Sequence, residues 1–277
     1  MIQRALMSVM ITAVVLMGGC DKGTSGPADP RAKAGRVVGT LADARGGPLS
    51  NVTVRVRGFT RGGDAVDKTF EVKGPAKGYE FELPDGTYST PEAVVTAEYH
   101  NRTLVFPLAP ADGATEWLEA RDAKAGLVRD FVWRISGARP AGVGNPLDPT
   151  GYWGSAVVFD LGGDFGDTAN FEVTLKPDGP LVDGSEGGPL TFVRRIPWRR
   201  HEDHFLLDIP TGRYTATAKL LYGNRPKALK LISYTIDPAN PDAAPTSSAL
   251  SATVEFETRK DKSGRDVQAT PSIVVFP

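Results

Sequence analysis

The sequence predicts an all-β protein made of two tandem β-sandwich domains, and three observations carry that prediction. Strand-length segments alternate apolar and polar residues along most of the chain, as half-buried strands require. The 31 glycines and 22 prolines fall between short apolar runs and not in one low-complexity tract, which places many turns between them. Finally, the ten residues Tyr79–Tyr88, YEFELPDGTY, return as Phe205–Tyr214, FLLDIPTGRY. The interval from Tyr79 to Phe205 is 126 residues. That is a domain length, well above the period of a stacked solenoid.

Taken in order, the elements support this division. Val37–Leu41 is a strand, followed by a Gly-Gly-Pro turn. In the next strand Val52, Val54 and Val56 share one face, and Thr53, Arg55 and Arg57 share the other. KTFEVKG gives a third strand, and YEFEL a fourth with Tyr79, Phe81 and Leu83 inward and Glu80 and Glu82 toward water. Leu83-Pro84-Asp85-Gly86 has the chemistry of a tight turn, so a hairpin is expected there and again at Pro210-Thr211-Gly212. AVVTAEYHN and RTLVFPL follow as strands across a His-Asn turn. The stretch ATEWLEARDAKAG is expected to hold a short helix, and in RDFVWRIS Phe131, Trp133 and Ile135 alternate as core residues. GARPAGVGNPLDPTG has no hydrophobic periodicity and is the expected linker. Strands at Ala156–Leu161, FEVTLKPDG, FLLDI, SATVEFETR and PSIVVFP make up the second unit, and VTAEYHNR around Tyr99 is paralleled by TAKLLYGNR around Tyr222.

The chain has 277 residues, 40% of them hydrophobic, enough to build a sizeable core. Its formal net charge of -1 gives no cationic excess for nucleic acid, so no nucleic-acid partner is expected. The N-terminus has an early cation, Arg4, an apolar stretch from Ala5 to Met17, and then Gly18, Gly19 and Cys20. The stretch is short for a membrane span and ends in small residues, as secretory signals do. It resembles a bacterial lipoprotein signal peptide: Leu16, Gly18, Gly19 and Cys20 match the lipobox, while Met17 stands where leucine is usual. The resemblance implies cleavage before Cys20, acylation of that residue with palmitate-type chains, and anchorage to a bacterial membrane, at the periplasmic face or the cell surface. Cys20 is the only cysteine, so there is no disulfide framework and no thiolate cluster. DKGTSGPADPRAK, next in the chain, is polar and proline-bearing and is expected to be a tether. The expected plan is thus a signal peptide over 1–19, a tether over 20–34, one sandwich over 35–138, a linker over 139–150 and a second sandwich over 151–277.

The first unit resembles the carboxypeptidase regulatory-like domain family. The matching residues are Gly39, Gly47-Pro48-Leu49, Asn51-Val52, Val54, and Tyr79 to Tyr88, within Gly35–Leu108. The second unit matches through Pro210-Thr211-Gly212-Arg213-Tyr214. The resemblance implies a transthyretin-like or starch-binding-like sandwich serving as a non-catalytic folding or binding module, with carbohydrate as one ligand class.

For chemistry, the densest cluster is RRIPWRRHEDHF. Arg194, Arg195, Arg199 and Arg200 around Trp198, with His201, are the candidate binding residues: arginines pair with anionic groups while an indole stacks on a sugar face. A metal site at His201, Asp203 and His204 is not expected, because on a strand residues three apart face opposite ways. Asp160, Asp164 and Asp167 lack the spacing of a calcium loop and are read as a turn. No nucleophile elbow, HExxH motif or phosphate-binding glycine loop occurs, so neither catalytic residues nor cofactors are assigned. The resulting expectation is a lipid-anchored envelope protein that binds or scaffolds a glycan or another envelope protein. Two alternatives stand beside it: an accessory subunit or metal-dependent hydrolase using His201–His204, and a purely structural envelope protein.

Overall fold

The computed structural model describes residues 29–89, 91–112, 121–140, 151–165, 169–196, 201–221, 225–235, 248–260 and 266–277. The chain from Arg31 to Pro277 packs as one compact body, and its described residues are all β apart from short 3-10 turns at Ala123–Ala125 and His201–His204. Among the described residues no helix is long and apolar enough to cross a membrane.

The first strand set contains β1 (Arg36–Ala42), β2 (Val52–Thr60), β3 (Ala65–Val72), β4 (Gly78–Glu82), β5 (Gly86–Tyr88), β6 (Glu92–Tyr99), β7 (Arg102–Pro107), β8 (Ala109–Pro110), β9 (Arg121–Asp122), β10 (Leu127–Val128) and β11 (Phe131–Val132). In one sheet β4 lies antiparallel to β1, β1 lies parallel to the interrupted strand β10–β11, and β8 closes on β11. The opposing sheet runs β3, β2, then β5 with β6, then β7, and β9 lies on β5. β5 ends at Tyr88 and β6 begins at Glu92, just after Pro91, which lacks the amide a continuous ladder needs.

The second set contains β12 (Ser155–Leu161), β13 (Ala169–Pro177), β14 (Leu190–Ile196), β15 (Phe205–Ile209), β16 (Tyr214–Leu221), β17 (Lys227–Thr235), β18 (Ala252–Val254), β19 (Glu257–Lys260), β20 (Asp266–Ala269) and β21 (Pro271–Phe276). Its pairings repeat those of the first set. β15 is antiparallel to β12, and β12 is parallel to β21. β14 pairs with β13, β13 with β16, and β18 lies on the start of β16. β17 pairs first with β16 and then with β21, so it passes between sheets as β7 and β8 do together. The β19–β20 hairpin is an addition with no counterpart in the first set.

The repeated ten residues make a corner between sheets, not the hairpins expected from their turn chemistry. β4 pairs with β1 while β5 pairs with β2 and β9, so the Pro-Asp-Gly bend carries the chain across the sandwich. β15 and β16 divide in the same way between β12 and β13. The final tyrosine locks each corner. Tyr88 is fully buried and its hydroxyl donates to the Pro84 carbonyl at 2.9 Å; Tyr214, 1% exposed, donates to Pro210 at 2.5 Å. Proline supplies no amide here, but its carbonyl still needs a partner, and a tyrosine four residues on provides one.

Alternation fills the cores as the sequence indicates. Val52, Val54 and Val56 of β2 are buried, and so are Phe171, Val173 and Leu175 at the matching places of β13. Each contributes about 1.5–3 kcal/mol through burial. Both sets belong to one continuous apolar cluster, with Phe131, Trp133 and Ile135 in it. Gly39 is required by close approach: a Cβ there would sit 1.7 Å from the Arg129 carbonyl and 2.7 Å from the Tyr79 hydroxyl, which donates to that carbonyl. At the β6–β7 turn His100 and Asn101 adopt φ 48° and 61°, the left-handed pair of a two-residue hairpin. Of the expected short helix, Ala123–Ala125 is a 3-10 turn capped by the Asp122 side chain, while 113–120, with Trp117, lie outside the described residues.

Replacing Tyr88 or Tyr214 by Phe leaves a proline carbonyl without its partner. Each change is expected to lower unfolding free energy by about 1–2 kcal/mol in urea titration, and the two losses should add within ~0.5 kcal/mol. Burial pushes the Tyr79 and Tyr214 hydroxyls well above the usual phenol range. Their neutral forms are favoured by folding, so this stability is fully present below pH ~10 and falls as pH rises beyond it, by about 1.4 kcal/mol per pH unit for each tyrosine. Urea midpoints measured between pH 9 and 11.5 should fall steeply for the unaltered chain and less steeply for Tyr79→Phe.

Candidate functional site

Arg194 and Arg195 lie on β14, an edge strand, and strand alternation sends them to opposite faces. These two arginines therefore do not face the same side of the sheet. Arg194 points inward with Leu190, Phe192 and Ile196; its Nη2 donates to the Phe205 carbonyl of β15 at 2.5 Å, and its guanidinium lies 5.8 Å from the Phe192 ring centroid. Burial pushes its pKa below the ordinary arginine value, against the nearby Asp203 carboxylate. This cation thus ties together the edges of two facing sheets. In the first sandwich the same opening, between β3 and β4, is closed by Phe70 stacked on Phe81 with centroids 3.4 Å apart. Arg195 faces outward and is exposed. Trp198, Arg199 and Arg200 lie outside the described residues, as do Cys20 and Asp167.

His201 opens the 3-10 turn that ends at His204. The strand-based reason for separating these histidines does not apply, since this segment is a turn and not a strand. Among the described residues no group of three or more His, Cys, Asp or Glu side chains converges on a metal position.

Polar side chains gather instead where the two sandwiches meet. Tyr99, at the end of the β6–β7 hairpin, donates its hydroxyl to the Pro180 carbonyl at 2.8 Å and accepts the Arg213 amide at 3.0 Å. Arg102, the first residue after the turn, reaches Glu255 at 2.5 Å and Glu257 at 3.2 Å. Arg213 contacts Glu255 from the other side at 3.3 Å, so one carboxylate joins cations from both sandwiches. The Val105 amide donates to the Thr258 hydroxyl at 3.0 Å. Above these groups lies a cavity of about 250 Å³ lined by Arg102, Arg213, Tyr234, Thr235, Thr253 and Glu255. Its surface offers hydroxyls and a shared ion pair, suited to a polar ligand more than an apolar one. A second hollow, of about 450 Å³, lies over β1 and β4 between Arg31, Lys33, Thr40, Gly78 and Glu80. There Arg31 holds Asp130 through both carboxylate oxygens, at 2.8 and 2.9 Å. Burial would raise the Asp130 carboxyl, but Arg31 and the Thr40 amide outweigh it and hold it below the usual range.

The connection between sandwiches is closed at its base. Ala138 pairs with Tyr152, and the Arg139 amide donates to the Gly151 carbonyl. The Arg139 guanidinium lies 4.7 Å from the centre of Trp153, which is buried against Ala109 of the first sandwich. Asp208, held at φ 56°, accepts the amides of Gly137 at 2.8 Å and Gly154 at 3.3 Å, binding the outgoing and returning chain together. The expected linker over 139–150 therefore leaves and returns at one place, with 141–150 outside the described residues. Sequence reasoning missed Tyr99, Arg102, Asp208, Arg213 and Glu255. The repeated Tyr-x-Asn-Arg at Tyr99 and Tyr222 was the available signal for the first two.

The fold and these contacts define the class: an all-β protein with one sandwich topology written twice. No family model matches the chain, and no curated protein matches it. Among solved structures it is similar to the major pilin of Streptococcus pyogenes in a point-mutant form, at 10% identity over 88% of this chain and 98% of that one. The TM-score is 0.22, too low to carry any argument about this chain.

Arg194→Ala is expected to lower stability by about 1–2 kcal/mol, since the Phe205 carbonyl loses a charged donor, whereas Arg195→Ala should stay within ~0.5 kcal/mol of the unaltered chain. Thermal denaturation of the two variants checks this.

Proposed function

We propose that this chain is a lipid-anchored protein of the bacterial cell envelope whose two sandwiches scaffold or bind without catalysis. The observation that carries the reading is the order of its N-terminal parts: an apolar run, Gly18-Gly19, the sole cysteine Cys20, a polar tether, and then a body whose first strand begins at Arg36. Several acyl chains on one cysteine hold a protein firmly at a bilayer, where a single chain is marginal. The tether spans up to roughly 50 Å when extended, enough to hold the body clear of the headgroups.

The non-catalytic part of the reading is supported by how the polar groups described above are used. Arg194 is spent on a strand carbonyl, Asp208 on two glycine amides, and Glu255 on two arginines. Placing the first sandwich with the carboxypeptidase regulatory-like domains belongs to this proposal too. It is supported by Gly39, whose missing side chain makes room for the Arg129 carbonyl and Tyr79, and by the Pro84–Tyr88 corner. Carbohydrate is the ligand class that this placement favours.

Cells fed an alkyne-bearing palmitate should incorporate the label into the unaltered chain and not into Cys20→Ser, and the variant should leave the membrane fraction. Label retained by Cys20→Ser would overturn the anchor. A glycan array probed with the full chain in detergent, alongside capture from native membranes, tests the ligand class; specific retention of a glycan supports it, and a silent array overturns it.

A further inference from the structure

The crossing of β17 between sheets leaves an opening at the end of the second sandwich that meets Arg102. Along β16, Ala218–Leu220 pair with β17, whereas Tyr214–Ala216 pair with β18. From Lys230 onward β17 pairs with β21 instead, and Leu231 bridges Ala249 ahead of β18. Beyond that bridge the two strands part. Ser233 and Thr235 share a face of β17 on one side of the gap, and Thr253 and Glu255 stand together on the other. Arg213 enters from the bend ahead of β16, and Arg102 from the β6–β7 hairpin of the first sandwich. These groups line the cavity of about 250 Å³.

The lining falls into two sets. Its guanidiniums are engaged: Arg102 is held by Glu255 and Glu257, and Arg213 lies between Glu255 and Asp178. The hydroxyls of Ser233, Thr235 and Thr253, by contrast, make no side-chain hydrogen bond with any described residue. Arg213 Nε is buried and donates no hydrogen bond, although the Glu255 carboxylate is 3.3 Å away. Polar groups in a recess are ordinarily paired, so these donors and acceptors are left for what enters the cavity. An anion gains little here, because Glu255 stands in the wall and Asp178 and Glu257 already pair with the arginines. A neutral polyol suits both sets, since each of its hydroxyls can accept from an arginine and donate to a carboxylate or threonine oxygen. The volume lies just below the ~300 Å³ at which pockets for drug-sized ligands begin, which is room for about one sugar ring. We propose that this cavity binds one neutral, hexose-sized sugar residue, free or at the end of a glycan, across the junction of the two sandwiches. The proposal rests on the carbohydrate reading above and gives it a place and a charge. Because Arg102 belongs to one sandwich and the other lining groups to its neighbour, an occupant favours the docked arrangement of the two.

Saturation-transfer NMR on the detergent-solubilised full chain tests this, with glucose, galactose, mannose, N-acetylglucosamine and short oligosaccharides ending in them as probes. At least one probe should show saturable transfer, and excess inorganic phosphate should not displace it. Thr235→Val and Thr253→Val remove hydroxyls that have no protein partner to lose. Each should therefore keep the thermal midpoint of the unaltered chain and weaken binding about tenfold. Ser233→Ala gives a third, independent measurement with the same expected outcome. Transfer to oligosaccharides alone assigns the site to glycan ends, and transfer to a free sugar with a silent glycan array keeps the cavity and rejects a glycan ligand. Displacement by phosphate, unchanged binding in all three variants, or a lowered midpoint wherever binding is lost would overturn the proposal. Array retention that survives the threonine substitutions would reject this cavity and leave carbohydrate as the ligand class, whereas silence in both measurements would remove the two together.

Discussion

Both sandwiches depend on a hydrogen bond four residues long, from a buried tyrosine hydroxyl to a proline carbonyl. Crossing between sheets exposes the backbone at the bend to the apolar interior, where an unpaired carbonyl is costly. Tyr88 and Tyr214 resolve this by filling the core with the ring and satisfying the bend with the hydroxyl. The position of the corner then decides which strand enters which sheet. Strands β4 and β15 are sent to the first strand of their sets, and the chain beyond the bend to the second, which fixes the topology of each unit.

Around that shared corner the two units differ in how they close their open sides. Phe70 and Phe81 stack in the first, whereas the second places the Arg194 guanidinium against a backbone carbonyl. Both arrangements discourage strand addition at an edge: one through bulk across the gap, the other through an inward-facing charge. Lys68, half-buried on the inner face of β3 opposite Val56, adds a similar charge to the first unit. Arg194 and Arg195, adjacent in the sequence, are thus divided by the pleat of a single strand.

What the sequence made legible was what depends on local alternation. Val52, Val54 and Val56, the core placement of Trp133 and the His100-Asn101 turn follow from period and turn chemistry, and the structure agrees on each. The duplicated motif was visible, but its pairing was not: Pro-Asp-Gly satisfies a hairpin and a sheet-crossing corner equally, and only the partners of β4 and β5 distinguish them. The contact between sandwiches was illegible for a related reason. Arg102 and Glu255 are separated by 153 residues, and single charged residues on strand ends carry no periodic signal. Asp208 was hidden likewise, because its left-handed backbone breaks the β propensity of its neighbours.

The clasp formed by Ala138 with Tyr152, Arg139 with Trp153, and Asp208 with two glycines means that the two sandwiches do not rely on their covalent link to stay together. A chain nicked within that link would keep its halves associated through these contacts, the shared apolar cluster and the Arg102–Glu255 pair.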